Sequence, residues 1–163
     1  MTDGWRELYD IEYPRLLRAL LAIGGDVDAA EDAAQEAFVK AHKQGLATLE
    51  RPGAWLLVVG TRELLRQRRR RKVEDERWAQ RGTSETSSFD AVADRADLLA
   101  ALQQLPERQR TIVVARYYYG LSYDEIASHF DIKSGTVGAT LHQAIEKLRQ
   151  TQMAGRLARG AMR

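Results

Sequence analysis

The sequence predicts an all-α protein, two small helical domains joined by a flexible linker, and three observations carry that prediction. Apolar residues recur at three- and four-residue spacing along nearly the whole chain, with no clear strand alternation and no hairpin turn pair. That periodicity lapses over one long stretch, residues 73–93, which is acidic at first and then runs Gly-Thr-Ser-Glu-Thr-Ser-Ser with few aliphatic side chains. The length of 163 residues, 44% of them apolar, allows one domain of ordinary size or two small independent cores, and the lapse favours two.

The first helix is expected over about residues 5–23, ended by Gly24 and Gly25. Pro14 is expected to break or kink it, because the ring removes a donor and crowds the preceding turn. The second starts near Asp26 or Asp28 and runs to about Lys43, with Val27, Ala30, Ala34, Ala37, Phe38 and Ala41 as its core face. A third opens at Pro52, whose fixed φ suits a first helical turn, and continues through Trp55, Leu56, Val59, Leu64 and Leu65 into a run of arginines. Beyond the linker, helices are expected near 94–105, 106–119, 122–130 and 134–149, with a fraying tail from residue 150. The domains are thus 1–72 and 94–150, flanking the linker 73–93 and followed by the tail 151–163.

The net charge of +2 hides a segregation. Residues 1–65 hold seven basic and eleven acidic side chains, 66–72 six and none, 73–94 two and six, and 95–163 ten and six. Positive charge is therefore concentrated in two places, which suits a protein that meets phosphates twice, although solvated helix faces give the same totals. The absence of cysteine excludes disulfides and thiolate metal sites, and His42, His129 and His142 lack the spacing of a zinc cluster. The first ten residues are polar and mixed in charge, unlike a secretory leader, and the apolar run 16–23 is broken by Arg18 and too short for a bilayer. A cytoplasmic protein is expected. With no glycine-rich phosphate loop, metal cluster or nucleophile signature, neither an enzyme nor a bound cofactor is expected.

Ser122 and Glu125 frame a capping box, in which the serine oxygen accepts from the glutamate amide while the glutamate carboxylate reaches back to the serine amide. The helix that starts there carries Ile126 and Ala127 inward and ends around Phe130, Asp131 and Ile132, before a second cap at Ser134. A short helix, a tight turn and a longer helix is helix-turn-helix spacing. In the second helix Val137, Leu141, Ala144, Ile145 and Leu148 share the packing face. The opposite face displays Gly135, Thr136, Ala139, His142 and Gln143, small and hydrogen-bonding residues suited to base edges in a major groove. Ser134 and Thr140 belong to the same candidate site, and Lys133, Lys147 and Arg149 flank it as phosphate contacts. A helical hairpin with a solvated polar face is the other reading of these residues.

The run Leu105-Pro106-Glu107-Arg108-Gln109-Arg110, then Tyr119 to Ala127, then Gly135-Thr136-Val137 and Leu141-His142, resembles region four of the extracytoplasmic-function sigma factors, in that family's order and spacing. In the first domain, the stretch from Asp28 to Phe38 resembles region two of the same family, where this helix docks on a coiled coil of the polymerase β′ subunit. Asp28, Glu31, Asp32 and Gln35 form an acidic stripe at three- and four-residue spacing opposite the alanine face, with Glu36 beside it; an ordinary solvated face looks alike. Arg51-Pro52-Gly53-Ala54-Trp55-Leu56, followed by the helix ending in Arg66, Arg68, Arg69, Arg70, Arg71 and Lys72, is similar to the part of region two that opens and reads the minus-ten promoter element.

Clustered arginines release counterions from phosphates, and a loop can receive an unstacked base. The resemblance implies Arg62, Arg66, Arg69, Arg70 and Trp55 as minus-ten residues and residues 45–51 as the base-receiving loop, although helical spacing with Val59 favours a core role for Trp55. A basic run is equally a solubility patch or an RNA-binding segment when read by itself.

The resemblance covers residues 5–72 and 95–150 and implies a sigma factor whose partners are core RNA polymerase (β′ clamp and β flap), promoter DNA and an anti-sigma protein. Two departures stand out. Family members usually carry basic residues at the positions of Gly138, Thr140 and Gln143, which are neutral here, and the stretch 58–63 is poorer in arginine than usual. Two other functions are open at this point: a helix-turn-helix regulator that needs no polymerase, and an adaptor or decoy that binds an anti-sigma protein but reads DNA weakly.

Overall fold

The computed structural model describes residues 3–77 and 93–161, with side chains described over 3–74 and 97–152. All regular structure among the described residues is helical. The chain divides into two units, Met1–Phe89 and Asp90–Arg163, and most of the expected linker, residues 78–92, lies outside the described residues.

The first unit packs three helices, α1 (Asp3–Gly24), α2 (Val27–Gln44) and α3 (Pro52–Arg77). Leu16, Leu20 and Ile23 of α1 are fully buried, each contributing about 2 kcal/mol of apolar burial. Pro14 does not break α1, which is continuous through it. Pro14 and Asp10, the residue whose carbonyl loses its partner, both lie on the exposed face, where water can satisfy that carbonyl. The helix stops at Gly25, which takes φ +76° and donates its N–H to the Leu21 carbonyl at 2.7 Å. Asp26 then caps α2 by accepting from the Ala29 N–H at 3.2 Å.

The buried face of α2 is made of Ala29, Ala30, Ala33, Ala34, Ala37, Phe38 and Ala41, while Val27 is only half-buried. Small side chains there allow α1 and α3 to come close, and Gly60 of α3 shows how close. A Cβ at Gly60 would lie 3.1 Å from Leu20 Cδ1 and 3.3 Å from Leu16 Cδ1. The start of α3 is set by Pro52 and by Glu12 of α1, whose carboxylate lies against Gly53 and favours the positive end of the helix dipole. Helix α3 continues through residues 73–77, so the basic run ends inside a helix rather than at a linker boundary.

The second unit holds α4 (Ala93–Gln103), α5 (Glu107–Val113), α6 (Tyr123–Phe130) and α7 (Ser134–Ala161). Leu102, Leu105, Ile112, Leu121, Ile126, Val137, Leu141 and Ala144 supply its core. The expected single helix over 106–119 is instead α5 followed by a π-helical turn, Val114–Tyr118, in which the Tyr119 N–H reaches back five residues to the Val114 carbonyl at 3.1 Å. Gly120, at φ +68°, then turns the chain. Helix α7 runs past residue 149 to Ala161, because residues 150–161 contain no proline and many good helix formers.

Candidate nucleic-acid interface

The helix-turn-helix is held by local chemistry at each end of α6. The capping box is complete: Glu125 N–H donates to Ser122 Oγ at 3.1 Å, and Ser122 N–H donates to Glu125 Oε2 at 2.7 Å. At the other end Asp131 adopts the left-handed conformation (φ 54°, ψ 51°), and the Ile132 N–H closes on the Ala127 carbonyl at 3.0 Å. Ser134, expected as a cap, is the first residue of α7, and its hydroxyl donates to Asp124 Oδ1 at 3.1 Å, tying α7 to α6.

On α7, Lys133, Ser134, Gly135, Ala139, His142, Gln143 and Lys147 are exposed, and Thr136 is half-buried. Thr140 is buried, in step with Val137, Leu141 and Ala144. Gly138 faces α6, where a Cβ would meet the Tyr123 ring at 3.5 Å. Of the three neutral positions that depart from the family, only Gln143 is fully exposed. The start of α5 and the first three turns of α7 line an open cleft of about 500 Å³ in which Arg108 and Gln109 face Gly135, Thr136, Ala139, Thr140 and Gln143. Arg108 was not among the expected contacts. Nearby, the Arg116 guanidinium lies 5.2 Å from the centre of the Tyr123 ring.

On α3, Arg62, Arg66, Arg69 and Arg70 are exposed at three- and four-residue spacing and make one basic stripe, and Trp55 is half-buried. Other arginines of the run serve the unit itself. Arg71 pairs with Asp26 at 3.1 Å, and Arg68 donates to the Gly24 carbonyl at the C-terminal end of α1. Arg66 is bound by Glu63 at 2.7 Å, and Glu63 also accepts from Lys40 of α2 at 3.2 Å. Burial pushes the Glu63 carboxyl upward, but the hydrogen bonds from Arg66 and Lys40 outweigh it and hold the group below its ordinary range. The same pairing raises Arg66.

On α2, Asp28, Asp32 and Gln35 are exposed and Glu31 and Glu36 half-buried. Beside this stripe α1 and α2 carry a ring cluster: Tyr9 and Tyr13 stack at 4.9 Å, and Tyr9 meets Phe38 edge-on at 5.0 Å. Burial raises the Tyr13 phenol against the lowering effect of a hydrogen bond with Gln35, with Tyr9 and Glu31 adding to the rise. Among the described residues no helix is long and apolar enough to cross a membrane, and no group of three His, Cys, Asp or Glu is placed to hold a metal.

Two helical units, one with a basic helix beside an acidic one and the other with a helix-turn-helix, have the features of a DNA-binding protein. Comparison with known proteins names the family. Residues 8–74 match the model of sigma-70 region 2, and residues 95–148 match that of sigma-70 region 4. The chain is 35% identical over 154 residues to the ECF RNA polymerase sigma factor SigL of Mycobacterium tuberculosis, covering 90% of this chain and 87% of the relative. It is 33% identical over 140 residues to the RNA polymerase sigma-E factor of Streptomyces avermitilis, covering 83% and 77%. The fold matches that of the sigma factor RpoE, solved with the anti-sigma factor NepR from Bartonella quintana, at a TM-score of 0.79 and 22% identity, over 91% of this chain and 96% of that one. The chain belongs to the extracytoplasmic-function sigma factors of the sigma-70 family. Such a protein binds core RNA polymerase and directs transcription initiation at specific promoters.

Proposed function

We propose that the two units divide this work. Residues 1–72 dock on the polymerase β′ clamp through Asp28, Glu31, Asp32, Gln35 and Glu36 of α2, and open the minus-ten element with Arg62, Arg66, Arg69 and Arg70 of α3. Residues 94–150 read the minus-thirty-five element with the outward residues of α7 and meet the β flap. The observation that carries this reading is the adjacency, within one three-helix unit, of an acidic stripe on α2 and a basic stripe on α3. Acidic residues suit a basic protein partner and repel DNA, whereas exposed arginines do the reverse. In the second unit the base contacts fall to Gly135, Thr136, Ala139, His142 and Gln143, and the phosphate contacts to Lys133, Lys147 and Arg108. Thr140 is largely buried at the floor of the cleft between α5 and α7.

The chain acts in the cytoplasm and catalyses nothing itself, RNA synthesis being the polymerase's chemistry. An anti-sigma protein restrains it, a reading supported by the likeness to a sigma factor solved in such a complex. The adaptor reading loses part of its motive, since Gly138 lies against the Tyr123 ring of α6 and its neutrality costs no outward charge. Run-off transcription with core polymerase and fragments of the source genome tests the whole assignment. Initiation at defined starts that depends on the chain is expected, and is lost on replacing Asp28, Glu31 and Asp32 with lysine. Full activity in that triple variant would overturn the docking assignment.

A further inference from the structure

Between the acidic stripe of α2 and the basic stripe of α3 lies a group that neither stripe explains. The Glu63 side chain is only 6% exposed, yet both of its oxygens hold cations. Oε1 accepts from Arg66 Nη2 at 2.7 Å, one turn along the same helix, and Oε2 accepts from Lys40 Nζ at 3.2 Å, across from α2. The two cations are themselves 53% and 42% exposed, so each still turns much of its surface to solvent. Glu36, one turn back on α2, lies 4.0 Å from Lys40.

Packing alone gives no reason for this residue. A buried carboxylate is costly unless paired, and an apolar side chain of similar volume often serves stability as well or better. What the arrangement supplies is position. Lysine and arginine are long and rotamer-rich, and each loses much freedom when it must find a phosphate unaided. One carboxylate here holds two such heads side by side, and a phosphate diester offers two anionic oxygens to adjacent donors.

We propose that Glu63 is a positioning residue that holds Lys40 and Arg66 together as a two-cation clamp for a single backbone phosphate of promoter DNA. The clamp extends the basic stripe of α3 onto α2. It rests on the assignment of α3 to DNA made above, to which Lys40 and Glu63 are new.

Charge and position predict opposite signs for the loss of Glu63. Neutralising an acid beside a polyanion strengthens binding through charge alone. Releasing the two cations from a fixed geometry weakens it. The test is anisotropy of a labelled oligothymidine strand bound by core polymerase with the full chain, titrated with salt, using core polymerase alone as the baseline.

The variants Lys40→Gln and Arg66→Gln are each expected to weaken binding about fivefold and to lower the slope of log affinity against log salt by about 0.7, one single-strand phosphate. The double variant is expected to lose no more slope than either single one, and Glu63→Gln to weaken binding in the same direction. Tighter or unchanged binding in Glu63→Gln, no effect of Lys40→Gln, or slopes that add in the double variant would each overturn the clamp. If circular dichroism shows Glu63→Gln to be unfolded, the Lys40 and Arg66 variants decide the matter by themselves, since both side chains are on the surface. Arg69→Gln and Arg70→Gln separate the two levels of inference. Weakening in these two without weakening in Lys40→Gln and Arg66→Gln removes the clamp alone, whereas wild-type binding in all four removes α3 from the DNA interface.

Discussion

The two units are built by opposite means. In the first, helices of 22, 18 and 26 residues are specified by what their side chains leave out: a face of alanines on α2, and glycines at 24 and 60 into which Leu64, Leu16 and Leu20 press. In the second, α5 and α6 have only 7 and 8 residues, too few to hold as isolated helices, and their ends do the specifying. A capping box, a left-handed Asp131 and a positive-φ Gly120 fix where each helix begins and ends. Close approach orders long helices, and termination chemistry orders short ones.

Added bulk should therefore hurt the first unit most. Gly60→Val forces a side chain against Leu20 and Leu16 and is expected to cost about 3 kcal/mol. Urea unfolding followed by tryptophan fluorescence reads this directly, because Trp5, Trp55 and Trp78 all precede residue 90. A cost below about 1 kcal/mol would show that α1 and α3 part easily and that close approach is not what orders them.

Removal of a cap should hurt the second unit, and by less. Ser122→Ala is expected to cost about 1 kcal/mol in a helicity melt, with the tryptophan transition left where it was. A shift of the tryptophan transition by the same amount would undo the contrast between the units.

Acid sharpens the comparison further. Folded Glu63 titrates below its ordinary value of 4.5, so in acid the unfolded chain binds the proton first. The stability it contributes is present above about pH 4.5 and disappears as pH falls through the lower folded value. Glu63→Gln should thus flatten the acid limb of the tryptophan-monitored stability profile, and parallel profiles for the two proteins would count against the pairing. The smallest effect is expected at Asp131→Gly, which relieves a left-handed aspartate at the end of α6 and should raise stability by about 0.5 kcal/mol. A loss of stability there would mean that the aspartate side chain itself secures the turn.

Features settled within four residues of chain were legible from the sequence: the cap at Asp26, the start at Pro52 and the box of Ser122 with Glu125. Three features were not readable. The pairing of Lys40 with Glu63 spans 23 residues and depends on the register of α2 against α3, which no local pattern reports. The division of the arginine run, Arg68 and Arg71 turned to the α1–α2 corner and Arg69 and Arg70 to solvent, follows from the rotation of α3, not from composition. The π-turn leaves no trace in apolar spacing because it falls in the last turn of its helix, where no further turn follows to show a shift.

That wide ending joins two tasks in one turn. The bonds that close it, Tyr119 N–H to the Val114 carbonyl and Leu121 N–H to the Ala115 carbonyl, reach five and six residues back and carry the chain to buried Leu121 and the capping box at Ser122. The stop of one helix and the start of the next are thus a single knot of main chain, with Gly120 at positive φ between them.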